Sequence, residues 1–233
     1  VNRTLATARM HLVHPLVILG IPWLVVGISF AINLAVWALG DLESVSGGEG
    51  FTGGLASLYI TVLVVFAQGV TQMFPFAMGV SISRRTFYLG TALVAAGQAL
   101  GYGVLLTVLQ SIESATAGWG IGLPFWAPGP IEVGNPALQV VVYALPMLAC
   151  AFLGMAIGVV LKRWGASGMW MLAIGTLVLL GIFAIVVTGL GTWPAVGSWL
   201  VDRTVYEYTL VLPALAAVAL AGLSWTGLRR AVP

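Results

Sequence analysis

Residues 74–91 read FPFAMGVSISRRTFYLGT, and a basic pair, Arg84 and Arg85, sits there between two apolar runs. The other charges repeat the pattern. Arg3 and Arg9 open the chain, and the acidic set Asp41, Glu43 and Glu49 follows. Beyond the Arg84–Arg85 pair come Glu113 and Glu132, then Lys162 and Arg163, then Asp202, Arg203 and Glu207, and finally Arg229 and Arg230. Membranes sort loops this way, because short cytoplasmic loops collect Lys and Arg while acidic residues contribute little to orientation. Eight of the nine basic residues then fall on one side and all seven acidic residues on the other.

The intervals between the charge groups run 10–40, 50–83, 86–112, 133–161, 164–201 and 208–228. A spanning helix needs about 20 apolar residues, so each interval can hold one. The expected fold is an all-α polytopic membrane protein with six transmembrane helices and both termini cytoplasmic. The spans are read as 16–39, 56–81, 87–111, 137–161, 167–190 and 207–227, within a single transmembrane domain covering 1–233. Residues 2–13 (NRTLATARMHLV) precede them as an interfacial helix, with Leu5, Leu12 and Val13 in the apolar boundary and Arg3 and Arg9 among the headgroups.

Composition agrees. Hydrophobic residues make up 60% of the chain and charged residues 7%, against roughly 25% charged in a soluble domain. The mean hydropathy is +1.07. Nucleic-acid binding is excluded, since no basic cluster exceeds two adjacent residues. The apolar run from Pro15 to Gly40 is far longer than the ~7–15 residues of a signal-peptide core, so it reads as a retained span. Cys150, alone and mid-span, reads as a buried thiol.

The loops carry two expectations. Residues 113–135 form the longest external loop, with Trp119, Phe125 and Trp126 at the interface. The segment TWPAVGSWLVDRTVYEY before the last span is broken by Pro194 and Gly197 and reads as a re-entrant or surface-lying element. Arg203, the one basic residue on the outer side, is expected to pair locally with Asp202 or Glu207.

Candidate chemistry is sparse. The G-x-x-x-x-G-K-[ST] phosphate loop does not occur, because the sole lysine, Lys162, lies between leucine and arginine. This chain is therefore not expected to be an enzyme or to bind ATP. His11-x-x-His14 has no carboxylate near it in sequence, so no metal site is expected there. The spans hold no acidic residue that could relay protons. They do hold uncharged polar residues, and Gln68 and Gln72, with Thr71 beside them, are one helical turn apart on the second span. These three either line a polar path or hydrogen-bond to neighbouring helices. Gly97/Gly101 and Gly154/Gly158 permit close helix approach, and Pro22, Pro75, Pro146 and Pro213 are expected to kink their spans.

The stretch 74–91 resembles the second-span exit and following turn of ABC-2-type transporter permeases, in which a G-x-S-x(0–2)-R-R-x-F-x-x-G pattern is frequent. The motif covers about 18 residues; the remainder matches by topology. The resemblance implies a transmembrane subunit of an ATP-binding-cassette transporter in a bacterial cell membrane. It implies a separately encoded nucleotide-binding ATPase subunit carrying ATP and Mg, and a second permease copy or a related permease as partner. By resemblance, Ser83, Arg84, Arg85, Thr86 and Phe87 form the element that couples to the ATPase, together with residues 2–13. The plain alternative is that Arg84 and Arg85 only anchor the topology. Importers whose permeases carry an acidic E-A-A loop are disfavoured, since no acidic residue falls on the cytoplasmic side, and export is expected. A non-transporting assembly or immunity subunit is the alternative from another class, and a secondary transporter is the third.

Overall fold

In a computed structural model, residues 3–13, 15–40, 52–127 and 131–231 are described. The acidic loop with Asp41, Glu43 and Glu49, His14, and residues 128–130 lie outside the described residues. Among the described residues the regular structure is helical throughout, with no strand. Five helices are long and apolar enough to cross a membrane, as a multi-pass membrane protein requires.

Helix α1 is Arg3–His11. Helix α2, Leu16–Gly40, opens with a wide π-helical turn over Leu16–Gly20. Helix α3 is Ala56–Gly79, and α4, Arg84–Ala115, is longer than the expected span at both ends. Helix α5, Pro136–Gly189, covers 54 residues and both of the expected spans 137–161 and 167–190. A straight rod of that length would measure about 80 Å, far beyond a hydrocarbon core of about 30 Å. It is not straight. Gly165 takes φ 62°, ψ −151°, a conformation closed to side chains with a Cβ, and divides the element immediately after Lys162-Arg163. Leu172, beyond the break, lines the same groove as Leu153, Ala156 and Val160 before it. Helix α6 is Trp193–Val201, and α7, Glu207–Arg229, again opens with a π-helical turn, Glu207–Val211.

The core forms where α3, α4 and the first half of α5 meet, with α7 packed on α5 and α2 on α3. Glycine sets the closest approach: a Cβ on Gly154 would come 2.1 Å from the Leu63 carbonyl oxygen, and one on Gly158 would come 2.7 Å from that of Ala67. The Gly154/Gly158 pair therefore does what its spacing suggests. Gly97/Gly101 does not; a Cβ at either would meet nothing within 4 Å. On α4 the close contact belongs instead to Gly103, against the Val140 carbonyl oxygen.

Much of the outward surface is apolar too. Leu24, Ile28, Ile32 and Val36 form an exposed stripe on α2, and Leu177, Leu179, Ile182 and Ile185 are exposed on the second half of α5. Patches of this extent are not stable in water but suit lipid.

The segment before α7 is more regular than its Pro194 and Gly197 suggest. Pro194 sits in the first turn of α6, where its missing N–H is not needed, and α6 has no buried residue. Arg203 pairs with Glu207 at 2.8 Å, and Glu207 also accepts from the Thr204 backbone N–H at 2.9 Å.

Candidate functional site

The turn at residues 80–83 is fixed from both sides. At the end of α3 the Ser81 N–H donates to the Met78 carbonyl (3.1 Å) and the Ile82 N–H to that of Ala77 (3.0 Å). This is the Schellman closure of a helix, with Ser81 at φ 61° in the position usually taken by glycine. Ser83 then caps α4, its Oγ accepting from the Thr86 N–H at 3.2 Å. Hydrogen bonds thus close both helix ends at the turn.

The five residues of the expected coupling element take different roles. Ser83 and Arg85 are exposed, Arg84 and Thr86 half-buried, and Phe87 buried at 1% exposure. Phe87 packs on Phe74 (ring centroids 5.5 Å apart) and near His11 (5.7 Å), so it belongs to the core and offers no docking surface. The Arg84 guanidinium donates to the Arg229 carbonyl and so caps the C-terminus of α7, where a cation also complements the helix dipole. Of the basic pair, only Arg85 projects freely; it shares a groove with Tyr88, Trp225 and Arg229.

Helix α1 reaches the same place. Gly90 leaves room for it, since a Cβ there would come 2.9 Å from Thr7 Cβ. Arg3 and Thr7 of α1 and Ser81, Ser83 and Thr86 of the turn line a common groove of about 480 Å³. His11 locks the contact. Thr91 Oγ1 donates to the Phe87 carbonyl (3.0 Å), so it accepts from His11 Nε2–H at 2.8 Å. Burial lowers the His11 pKa to about 4, which keeps the ring neutral.

Arg84, Arg85, Arg163, Arg229 and Arg230 gather at this end of the bundle. Arg84 touches Arg229, Arg85 lines a groove with Arg229, and Arg163 lines another with Arg230. Glu113 and Glu132 lie near the far end of α4, where Gln110 donates to Glu132 at 2.9 Å.

Gln68 and Gln72 do not line a path inside this chain. Both are exposed, and the half-buried Thr71 turns its hydroxyl to the Gln68 carbonyl at 3.0 Å. They sit in a strict four-residue stripe, Ala56, Ile60, Val64, Gln68, Gln72 and Phe76, that runs the length of α3 on its outer face.

The most elaborate polar arrangement was not visible in the residue pattern. Glu113 is 6% exposed and accepts hydrogen bonds from the Trp119 indole N–H (3.1 Å) and the backbone N–H groups of Phe125 (3.0 Å), Trp126 (3.0 Å) and Ala127 (3.3 Å). The expected external loop is thus folded inward around one carboxylate. Phe125 and Trp126 pack on Phe30 of α2, and Tyr143 donates to the Trp126 carbonyl at 2.9 Å. Gln139 ties the rest, accepting from Val133 N–H (2.8 Å) and donating to the Ile131 carbonyl (3.3 Å). The available signal was the run of glycines before Phe125, which permits the positive φ values at Gly118, Gly120 and Gly122.

Among the described residues no three His, Cys, Asp or Glu side chains come together to hold a metal. No family model, no curated protein and no solved structure matches this chain.

Proposed function

We propose that this chain is the transmembrane subunit of an ATP-driven exporter in a bacterial cell membrane, working as one of a pair of permeases. In this reading the halves 136–164 and 166–189 each cross the bilayer, giving six spans. The basic end faces the cytoplasm by the positive-inside tendency. A separate nucleotide-binding subunit carries ATP and Mg and docks where α1, the 80–83 turn and Arg85 meet.

The observation that carries the proposal is the α3 stripe. An amide left without a partner in hydrocarbon costs about 4–8 kcal/mol on an alkane reference. Gln68 and Gln72 stand mid-helix on the outer face of an apolar bundle. Another polypeptide or a water-filled path must therefore cover them, and two copies facing each other across this stripe supply both. The substrate path then lies between subunits, which explains why the candidate pathway residues do not converge inside one. The ABC-2 resemblance of residues 74–91 supports the same reading, as does the hydrogen-bonded turn beneath the stripe.

The test is disulfide cross-linking in membranes. With Cys150→Ala as background, Gln72→Cys should yield a dimer of this chain, or a heterodimer with a related permease carrying a matching cysteine. Val218→Cys, on the exposed face of α7, should stay monomeric. A monomer at both positions contradicts the paired-permease reading.

A further inference from the structure

Arg163, at the end of the first half of α5, and Arg230, next to the last turn of α7, share one groove of about 480 Å³. Below them the groove is apolar, with Leu153, Ala156 and Val160 on one wall and Leu220 and Leu223 on the other. Leu172 adds to its side. From Leu153 to Arg163 is ten residues of helix, or about 15 Å at 1.5 Å per residue. That is half of a hydrocarbon core of about 30 Å, the depth of one leaflet.

We infer that this groove binds one anionic phospholipid, with its headgroup phosphate between the two guanidiniums and an acyl chain along the leucine-lined wall. Charge complementarity selects the occupant. Both arginines are exposed, and among the described residues neither has a carboxylate partner; the one ion pair there is Arg203–Glu207. The Arg163 guanidinium lies 4.4 Å from the Trp164 ring centroid, and that ring is half-exposed beside the groove. An indole at the headgroup level with a cation against its face is the arrangement expected where lipid meets water. A protein strand or helix in the groove would have to meet two cations at one end and a largely apolar trough below, whereas an anionic lipid has that polarity built in. Basic pockets between spanning helices on one face of the membrane are where anionic headgroups bind. The inference rests on the chain being a membrane protein and is independent of its being a permease.

The experiment is native mass spectrometry of the full chain released from vesicles of equimolar phosphatidylglycerol and phosphatidylcholine. The wild type should retain phosphatidylglycerol in preference to phosphatidylcholine. Arg163→Gln with Arg230→Gln should reduce that retention roughly thirtyfold, taking each surface arginine at its usual worth. Arg203→Gln, at the other end, should leave it unchanged. Ala156→Phe fills the trough but keeps both charges, and it should also release the lipid. Soluble glycerophosphoglycerol should not compete, because it has no acyl chain. Equal retention of the two lipids by the wild type, or undiminished retention in the double variant, would overturn the site. So would displacement by the soluble headgroup.

Discussion

The Gln98 side-chain amide donates to the Ile18 carbonyl oxygen across the α4–α2 contact at 3.1 Å. Ile18 is four residues before Pro22, which has no N–H to donate back into this turn, while the Ile21 N–H reaches the Leu16 carbonyl in the π-helical register. Tyr102 donates to the neighbouring Leu19 carbonyl at 2.8 Å, one turn further along α4. The two side chains satisfy the wide turn that opens α2.

Gln98→Leu should therefore destabilise the chain by about 1–2 kcal/mol, since it strips a buried carbonyl of its donor. In a Pro22→Ala background the backbone can supply its own N–H, and the same substitution should then cost less. A double-mutant cycle on unfolding midpoints in detergent should give a coupling of at least about 0.5 kcal/mol. Purely additive effects would mean that the proline and the glutamine are unrelated.

Glu113→Gln keeps the shape and removes the charge. One of its two terminal atoms becomes an NH₂ that faces backbone N–H donors, so part of the cradle at Phe125–Ala127 is left without an acceptor. A loss of about 3 kcal/mol is expected, the scale of a charge-assisted bond in a buried site. Amide hydrogen exchange should rise at 125–127 before it rises in α4. Uniform exchange across both would place the damage in the bundle and not in the folded loop.

The His11 contact predicts a pH dependence. The folded pKa of about 4 lies below the ordinary value of 6.5, so the unfolded chain takes up the proton first as pH falls. Stability from this group is whole above about pH 6.5, declines between 6.5 and 4, and levels off below; the full loss is about 3 kcal/mol. Exchange protection of α1 should follow that course. In His11→Gln, which can still donate to Thr91, the decline over this window should vanish.

Much of the bundle was legible because lipid leaves few options: an apolar run of the right length must close its own backbone hydrogen bonds as a helix. The starts of α2, α3 and α7 fall where the charge groups and hydropathy put them. Gly165 was harder to read, since a glycine beside Lys162-Arg163 looks like any other loop residue until its φ is known. Gln68 and Gln72 were recognisable as one face, but a period of 3.6 says which residues share a side and not whether that side points inward. The Glu113 cradle was invisible for a related reason. Its donors are backbone N–H groups, which every residue but proline carries and no motif marks.

Arg84 and Arg85 separate by role. Arg84→Lys keeps the charge but loses the planar guanidinium that reaches the Arg229 carbonyl, so it should lower thermal stability modestly, by about 1 kcal/mol. Arg85→Lys touches no such contact and should leave stability unchanged. If Arg85 docks on an ATPase through bidentate bonds, lysine cannot replace it, and coupled hydrolysis should fall at wild-type expression. Full coupled activity in Arg85→Lys would reduce the residue to a topological anchor.

In the proposed function, this chain moves substrate with energy supplied by another subunit. The most direct measurement is ATP hydrolysis in proteoliposomes, with the purified chain alone and then with a candidate P-loop ATPase partner sought among the neighbouring reading frames. The chain alone should hydrolyse nothing above background, having no phosphate loop. With the ATPase present, hydrolysis should exceed that of the ATPase alone and fall again in Arg85→Lys. Hydrolysis by the isolated chain, or an ATPase indifferent to its presence, would contradict the account.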